Sequence, residues 1–172
     1  MPKDVVVVVN IDAKPSGTEN LDILLLSTEG AKDVAVYRDL DVIKEEFTGK
    51  KVAAMAEALF EQGKTTLAET LIRKVKIAGI AAPSGSGETE KASALVEAVE
   101  TLRETDDDWY ILLTDQDGDE AVKALCAWAE ATEPTEAELG AGEEDHRKLY
   151  FGRTQNKSLA VTNRRSIVIY GD

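Results

Sequence analysis

Three apolar runs separated by segments of helical periodicity constrain this chain more than any other feature. They are residues 21–26 (LDILLL), 71–80 (LIRKVKIAGI) and 109–114 (WYILLT). Each is short and rich in the residues that suit a pleated sheet. Between the first two, Val52, Met55, Ala56, Leu59 and Phe60 fall on one helical stripe over residues 50–62. Between the last two, Ala92, Leu95, Val96, Val99 and Leu102 form another. Parallel neighbours need a long crossover, usually a helix, so the pattern reads βαβαβ. The expected fold is α/β, one domain with a mainly parallel or mixed sheet covered by helices. Residues 1–20 read as an N-terminal strand or arm with a linker, and 21–172 as the domain.

The remaining elements follow from local signals. Val5 to Val9 is a β-branched run, and Val34 to Tyr37 adds a short strand. Asp41 is the expected N-cap of a brief helix through Phe47, closed by Thr48-Gly49, and Gly63 is expected to close the next helix. Pro83-Ser84-Gly85-Ser86-Gly87 is a loop, with Ser86 as the expected cap of the helix after it. Asp117 and Glu120 fit a capping box that opens a helix with Ala121, Val122, Leu125, Cys126 and Ala129 inward. Residues 132–145 read as a solvated acidic loop. Two last strands are expected at Leu149–Thr154 and Ser166–Tyr170.

Charge is distributed unevenly. The chain carries 20 basic and 33 acidic side chains, yet residues 1–87 net only −2, residues 88–145 net −16, and residues 146–172 net +5. A chain of this balance is not a general nucleic-acid binder, nor a basic membrane-surface protein. A single cysteine, Cys126, excludes an internal disulfide framework. The five-residue valine run is far too short to cross a membrane, and no basic region precedes it. Synthesis inside the cell without export is the expectation.

Each motif that could carry chemistry has a plainer reading. Gly63-Lys64-Thr65-Thr66 resembles the end of a phosphate-binding loop, but position 58 is Ala where that loop needs glycine, and a helix precedes it. Residues 84–87 (SGSG) lack a lysine, and Glu88 and Glu90 would repel an anion at the following helix. Asp115-Gln116-Asp117-Gly118-Asp119 has alternating carboxylates suited to Ca²⁺, but Glu120 and Cys126 stand where an EF-hand needs Gly and Glu. A ligand- or metal-binding enzyme with its site at residues 115–119 is the alternative reading. His146 has no second histidine or nearby cysteine to build a zinc site or a triad. Trp109 and Trp128 read as core or subunit contacts without a stacking platform. No catalytic, cofactor or metal residue is assigned.

LDILLLSTEG, VYRDLDVIKEEFTG, ALFEQG and LIRKVKIAGI, followed by LVEAVETLRETDDDWYILLT, KALCAWAEAT, RKLYFGRTQN and NRRSIVIYGD, together resemble the contractile phage tail sheath proteins. The resemblance covers most of the chain and rests on hydrophobic patterns. It implies a non-enzymatic structural subunit that forms hexameric rings stacked helically around a tail tube protein, in a virion tail or a phage-tail-like particle. It implies partners of the same kind and the tube protein, with no cofactor, nucleic acid or membrane insertion. Such proteins continue past the strand matching IVIY into a further domain and arm, so this chain reads as an N-terminal or core fragment. Val5, Val7 and Val9 would then face a neighbour by β-augmentation, or else form an edge strand of the domain's own sheet. The basic residues Arg147, Lys148, Arg153, Lys157, Arg164 and Arg165 are expected to meet the acidic face of the next copy. Among them Arg147, Arg153, Arg164 and Arg165 are the interface candidates.

Overall fold

The computed structural model describes residues 22–62, 74–133, 147–159, 161 and 163–171. Val5, Val7, Val9, the Gly63–Thr66 motif, His146 and most of the 132–145 segment lie outside them. The elements run β1 (Ile23–Ser27), β2 (Lys32–Tyr37), α1 (Leu40–Glu46), α2 (Lys51–Gln62), β3 (Val75–Gly79), α3 (Glu88–Thr105), β4 (Ile111–Thr114), α4 (Asp119–Ala131), β5 (Leu149–Thr154) and β6 (Ser166–Tyr170). They build one six-stranded sheet in the order β2-β3-β1-β4-β5-β6. All neighbours are parallel except β2, which runs antiparallel to β3. The expected α/β domain with a mixed, helix-covered sheet is what the chain forms.

Alternation of side chains along the strands sorts two cores onto two faces. Leu24, Leu26, Ala78, Leu112 and Tyr150 join Leu95, Val99, Val122, Leu125 and Cys126 beneath α3 and α4. Leu25, Val75 and Ile77 join Ile43, Phe47, Val52 and Ala56 beneath α1 and α2. The connection stepping leftward from β1 to β3 lies on one face, and those stepping rightward through α3 and α4 lie on the other. A right-handed crossover requires that division. From β5 to β6 no helix is made among the described residues. Leu159 and Val161 instead pack on the α3/α4 core as the chain returns, and Asn163 Nδ2–H donates to the Cys126 carbonyl at 3.0 Å.

Backbone geometry fixes glycine at two positions. Gly49 has φ +76° where α1 turns into α2, a left-handed conformation that costs a residue with a Cβ. Gly79 ends β3 against the turn after β1, where an added Cβ would lie 2.1 Å from the Gly30 carbonyl oxygen.

Several local expectations need correction. Asp39, not Asp41, caps α1, its carboxylate accepting from Asp41 N–H at 2.9 Å. Ser86 does not cap α3; Gly87 holds that position without a side-chain bond, while Ser86 donates to Glu90 through its N–H and hydroxyl. Likewise Gly118, not Asp117, precedes α4. Trp109 and Trp128 do have a platform, namely each other, stacked with ring centroids 6.1 Å apart.

Candidate functional site

In a doubly wound sheet, ligands bind beyond the carboxyl ends of the strands where the strand order reverses. Here that point lies between β1 and β4, since β1 has β3 on one side and β4 on the other. The residues leaving the two strands are Ser27-Thr28 and Asp115-Gln116. Asp115 is buried, and its carboxylate turns back across the crevice onto β1. Thr28 donates to it twice, from its N–H at 2.9 Å and its hydroxyl at 2.8 Å. The Ser27 hydroxyl reaches it at 3.4 Å, and Gln116 Nε2–H closes the ring by donating to Thr28 Oγ1 at 2.6 Å. Glu29, next in the turn, accepts from Lys51 N–H at 2.9 Å and so ties the same turn to the start of α2.

The three aspartates of the 115–119 loop therefore do not converge. Asp115 faces β1, whereas Asp119 accepts from Thr154 Oγ1–H at 2.9 Å and from Asn156 Nδ2–H at the end of β5. Those two bonds, the asparagine first, hold the Asp119 carboxyl below the usual carboxylate range. Among the described residues no three His, Cys, Asp or Glu side chains are grouped to hold a metal. A recess of about 250 Å³ lies beside Thr28 and Gln116, bordered by Pro83, Glu88, Lys91 and Gly118. Acidic residues fill the first turns of both helices that open there, Glu88 and Glu90 on α3 and Asp119 and Glu120 on α4. They already complement the positive helix ends and disfavour an anion.

A larger opening lies on the other face. Helices α1 and α2 cover the sheet from β3 to β4, and no described helix covers β5 or β6 on that side. Ala54, Met55 and Ala58 of α2 form one wall of a groove of about 680 Å³, and Leu113, Phe151 and Ile169 form its floor. Most of its surface is apolar; Lys51, Asp117 and Arg153 also line it, and at one end it reaches Thr114, Asp115 and Gln116 of the switch point. That composition suits a protein surface better than a polar substrate.

The basic residues near β5 and β6 divide into two kinds. Arg165 is committed within the chain. Its guanidinium donates to the Lys148 carbonyl at 3.1 Å and to Tyr110 Oη at 3.0 Å, and it lies 3.5 Å from Glu133. Arg147 is ion-paired with the same glutamate at 3.8 Å. Lys148 is buried, with Nζ 2.7 Å from Asp107 and donating to the Asp107 carbonyl at 2.9 Å, above the Trp109 ring. Burial pushes its ammonium below the usual lysine range, against the opposing pull of Asp107. Arg153 and Arg164 remain exposed, Arg153 reaching the Gly171 carbonyl at 3.5 Å.

Sequence reasoning missed Thr28, the partner that turns Asp115 inward, because the two are 87 positions apart. It also read Lys148 as a surface cation. The available signal was the Asp106-Asp107-Asp108 run, three carboxylates placed directly before a buried strand, which need cations near them. No helix is long and apolar enough to cross a membrane among the described residues. The sequence matches no protein-family model and gives no significant match to a curated protein.

Proposed function

We propose that this chain is a structural subunit of a contractile phage tail sheath, which packs with copies of itself around a tail tube and rearranges when the tail contracts. In this reading the protein resides in the virion tail after synthesis in the bacterial host. The sequence resemblance motivates it, and one structural observation carries it: an open apolar groove lies where no described helix covers β5 and β6, while the Asp115 carboxylate at the groove's switch-point end is taken up by Thr28. A subunit that works by packing needs open apolar faces and a rigid interior.

The discriminating experiment images the product of the whole reading frame in negative stain at low salt. Tubes or stacked rings of uniform diameter are expected. A product that stays monomeric at high concentration would sink the proposal. A parallel titration separates the enzyme alternative at residues 115–119. Neither Ca²⁺, Mg²⁺ nor a nucleotide at micromolar concentration should raise Tm, and a shift of several degrees abolished by Asp115→Asn would favour that alternative.

A further inference from the structure

Four large apolar side chains stand exposed among the described residues, and they fall in pairs at opposite ends of the sheet. Val36 (51%) and Val42 (48%) belong to the β2 end, Ile169 (59%) and Tyr170 (40%) to the β6 end. We propose that these two ends are complementary and that copies of this chain join head to tail, β2 of one copy beside β6 of the next. The inference rests on the reading of the chain as an assembling subunit, and adds which surfaces meet.

Geometry supports the match in three ways. First, each end of the sheet offers exposed apolar side chains, on β2 and the adjoining helix α1 at one end and on the two faces of β6 at the other. Val36 pairs in register with Lys76 and so lies on the α3 face, while Val42 comes from α1 on the other. Tyr170 alternates with Val168 onto the α3/α4 face, and Ile169 lies opposite with Phe151. An incoming strand would cover both sides at once. Second, β6 reads SIVIY, without the charge or proline that commonly blunts an outer strand. Third, β2 is antiparallel to the other five strands, so two copies in one orientation bring β2 antiparallel to β6, the more stable pairing.

Charge selects this partner over the alternatives. Of the six basic side chains in residues 147–171, Arg147, Lys148 and Arg165 are ion-paired with Glu133 or Asp107 and Arg153, Lys157 and Arg164 stand exposed, whereas residues 32–46 hold three basic and five acidic side chains. Asp33, Asp41 and Glu45 are exposed at one end, Arg153 and Arg164 at the other. Two β6 ends would repel, and a β6 end attracts a β2 end. The contact is heterologous, so it propagates into a ring or a helix and does not stop at a pair.

The test uses the full chain with two variants, Val36→Lys and Ile169→Lys, in sedimentation velocity at low salt across a concentration series. Each side chain is at least half exposed, so near-UV circular dichroism should remain that of the parent. If either variant unfolds, Val36→Thr and Ile169→Thr replace the pair. The parent should associate with rising concentration, and each variant alone should associate at least tenfold more weakly. Mixed in equal amounts, the two should form a species of twice the 18.6 kDa monomer mass and nothing larger. One variant keeps its β6 end and the other its β2 end, so the mixture allows a single contact. A mixture no more associated than its components overturns the proposal. So does loss of association in Ile169→Lys alone, which would mean pairing of two β6 ends or occupation of β6 by the Val5–Val9 segment. If neither variant weakens association, the assigned surfaces are wrong while the subunit reading stands. A parent that stays monomeric overturns the contact, and the sheath reading is then decided by the images of the whole product.

Discussion

A lysine at 3% side-chain exposure must find partners for a buried ammonium, and Lys148 finds them in one stretch of chain. Its contacts with Asp107 and Trp109 fasten the loop before β4 to the start of β5. Removing it leaves the Asp107 carboxylate without this partner and opens space beneath the Trp109–Trp128 stack. Lys148→Ala should cost about 3 kcal/mol in urea denaturation, in the range for breaking a buried pair. Lys148→Met, which keeps the stem over the indole, should cost less. An equal loss in both variants would show that packing contributes little. This lysine was invisible as a core residue in the sequence, because its partners lie about forty positions away. The same holds for the indole stack, whose members are 19 residues apart on β4's approach and α4. Cys126 was legible, since its place on a helical stripe put it in the core, where burial raises its thiol above the usual range.

Elements were read more securely than their ends. Strands β5 and β6 begin and stop where the alternation of apolar residues and the flanking polar residues placed them. Helix starts shifted because two cap residues stood within two positions of each other. Tertiary or local bonds decided between them: Ser86 was drawn to Glu90, and Asp119 to Thr154 and Asn156. The antiparallel course of β2 had no local signal, since Val34 to Tyr37 would suit either direction. Residues 71–80 looked alternating, charged then apolar. The described strand β3 is nevertheless buried throughout, because Lys76 reaches Asp106 at 2.8 Å and so is tolerated inside. At the end of that strand, Gly79→Ala should destabilise the fold by about 2–3 kcal/mol, since its methyl group meets backbone and not a movable side chain. Thermal unfolding measures this directly. A variant as stable as the parent would mean that the turn after β1 yields readily.

At the scale of the whole molecule, part of the uneven charge is settled within the chain. Glu133 takes Arg147 and Arg165, and Asp106 and Asp107 take Lys76 and Lys148. Glu133 and Asp107 of the acidic block therefore meet the basic strands, and Arg153, Lys157 and Arg164 stay exposed. Acid stability follows from these pairs. Burial pushes the Asp106 carboxyl up, but Lys76 and the Asp108 N–H outweigh it and hold it below the usual range. A depressed carboxyl adds stability above its unfolded value, and that contribution is lost as pH falls through the folded one. Asp106→Asn should thus be about 1–2 kcal/mol less stable than the parent at pH 7. The gap should begin to narrow below about pH 4, where the unfolded carboxyl takes its proton, and vanish as pH falls through the lower folded value. Equal denaturation midpoints at pH 7 would show that Lys76 finds another partner.

The strand order also grades the sheet by how readily its amides meet solvent. β1 is central, its last four residues buried between two parallel neighbours and two helical layers, while β6 has one described neighbour and two exposed residues out of five. Opening from the β6 end breaks one ladder; opening β1 requires unfolding the whole domain. Hydrogen exchange in the isolated chain should therefore be faster at β6 than at β1. A neighbour laid along β6 would erase that gradient, and the protection of five amides would become a clock for assembly.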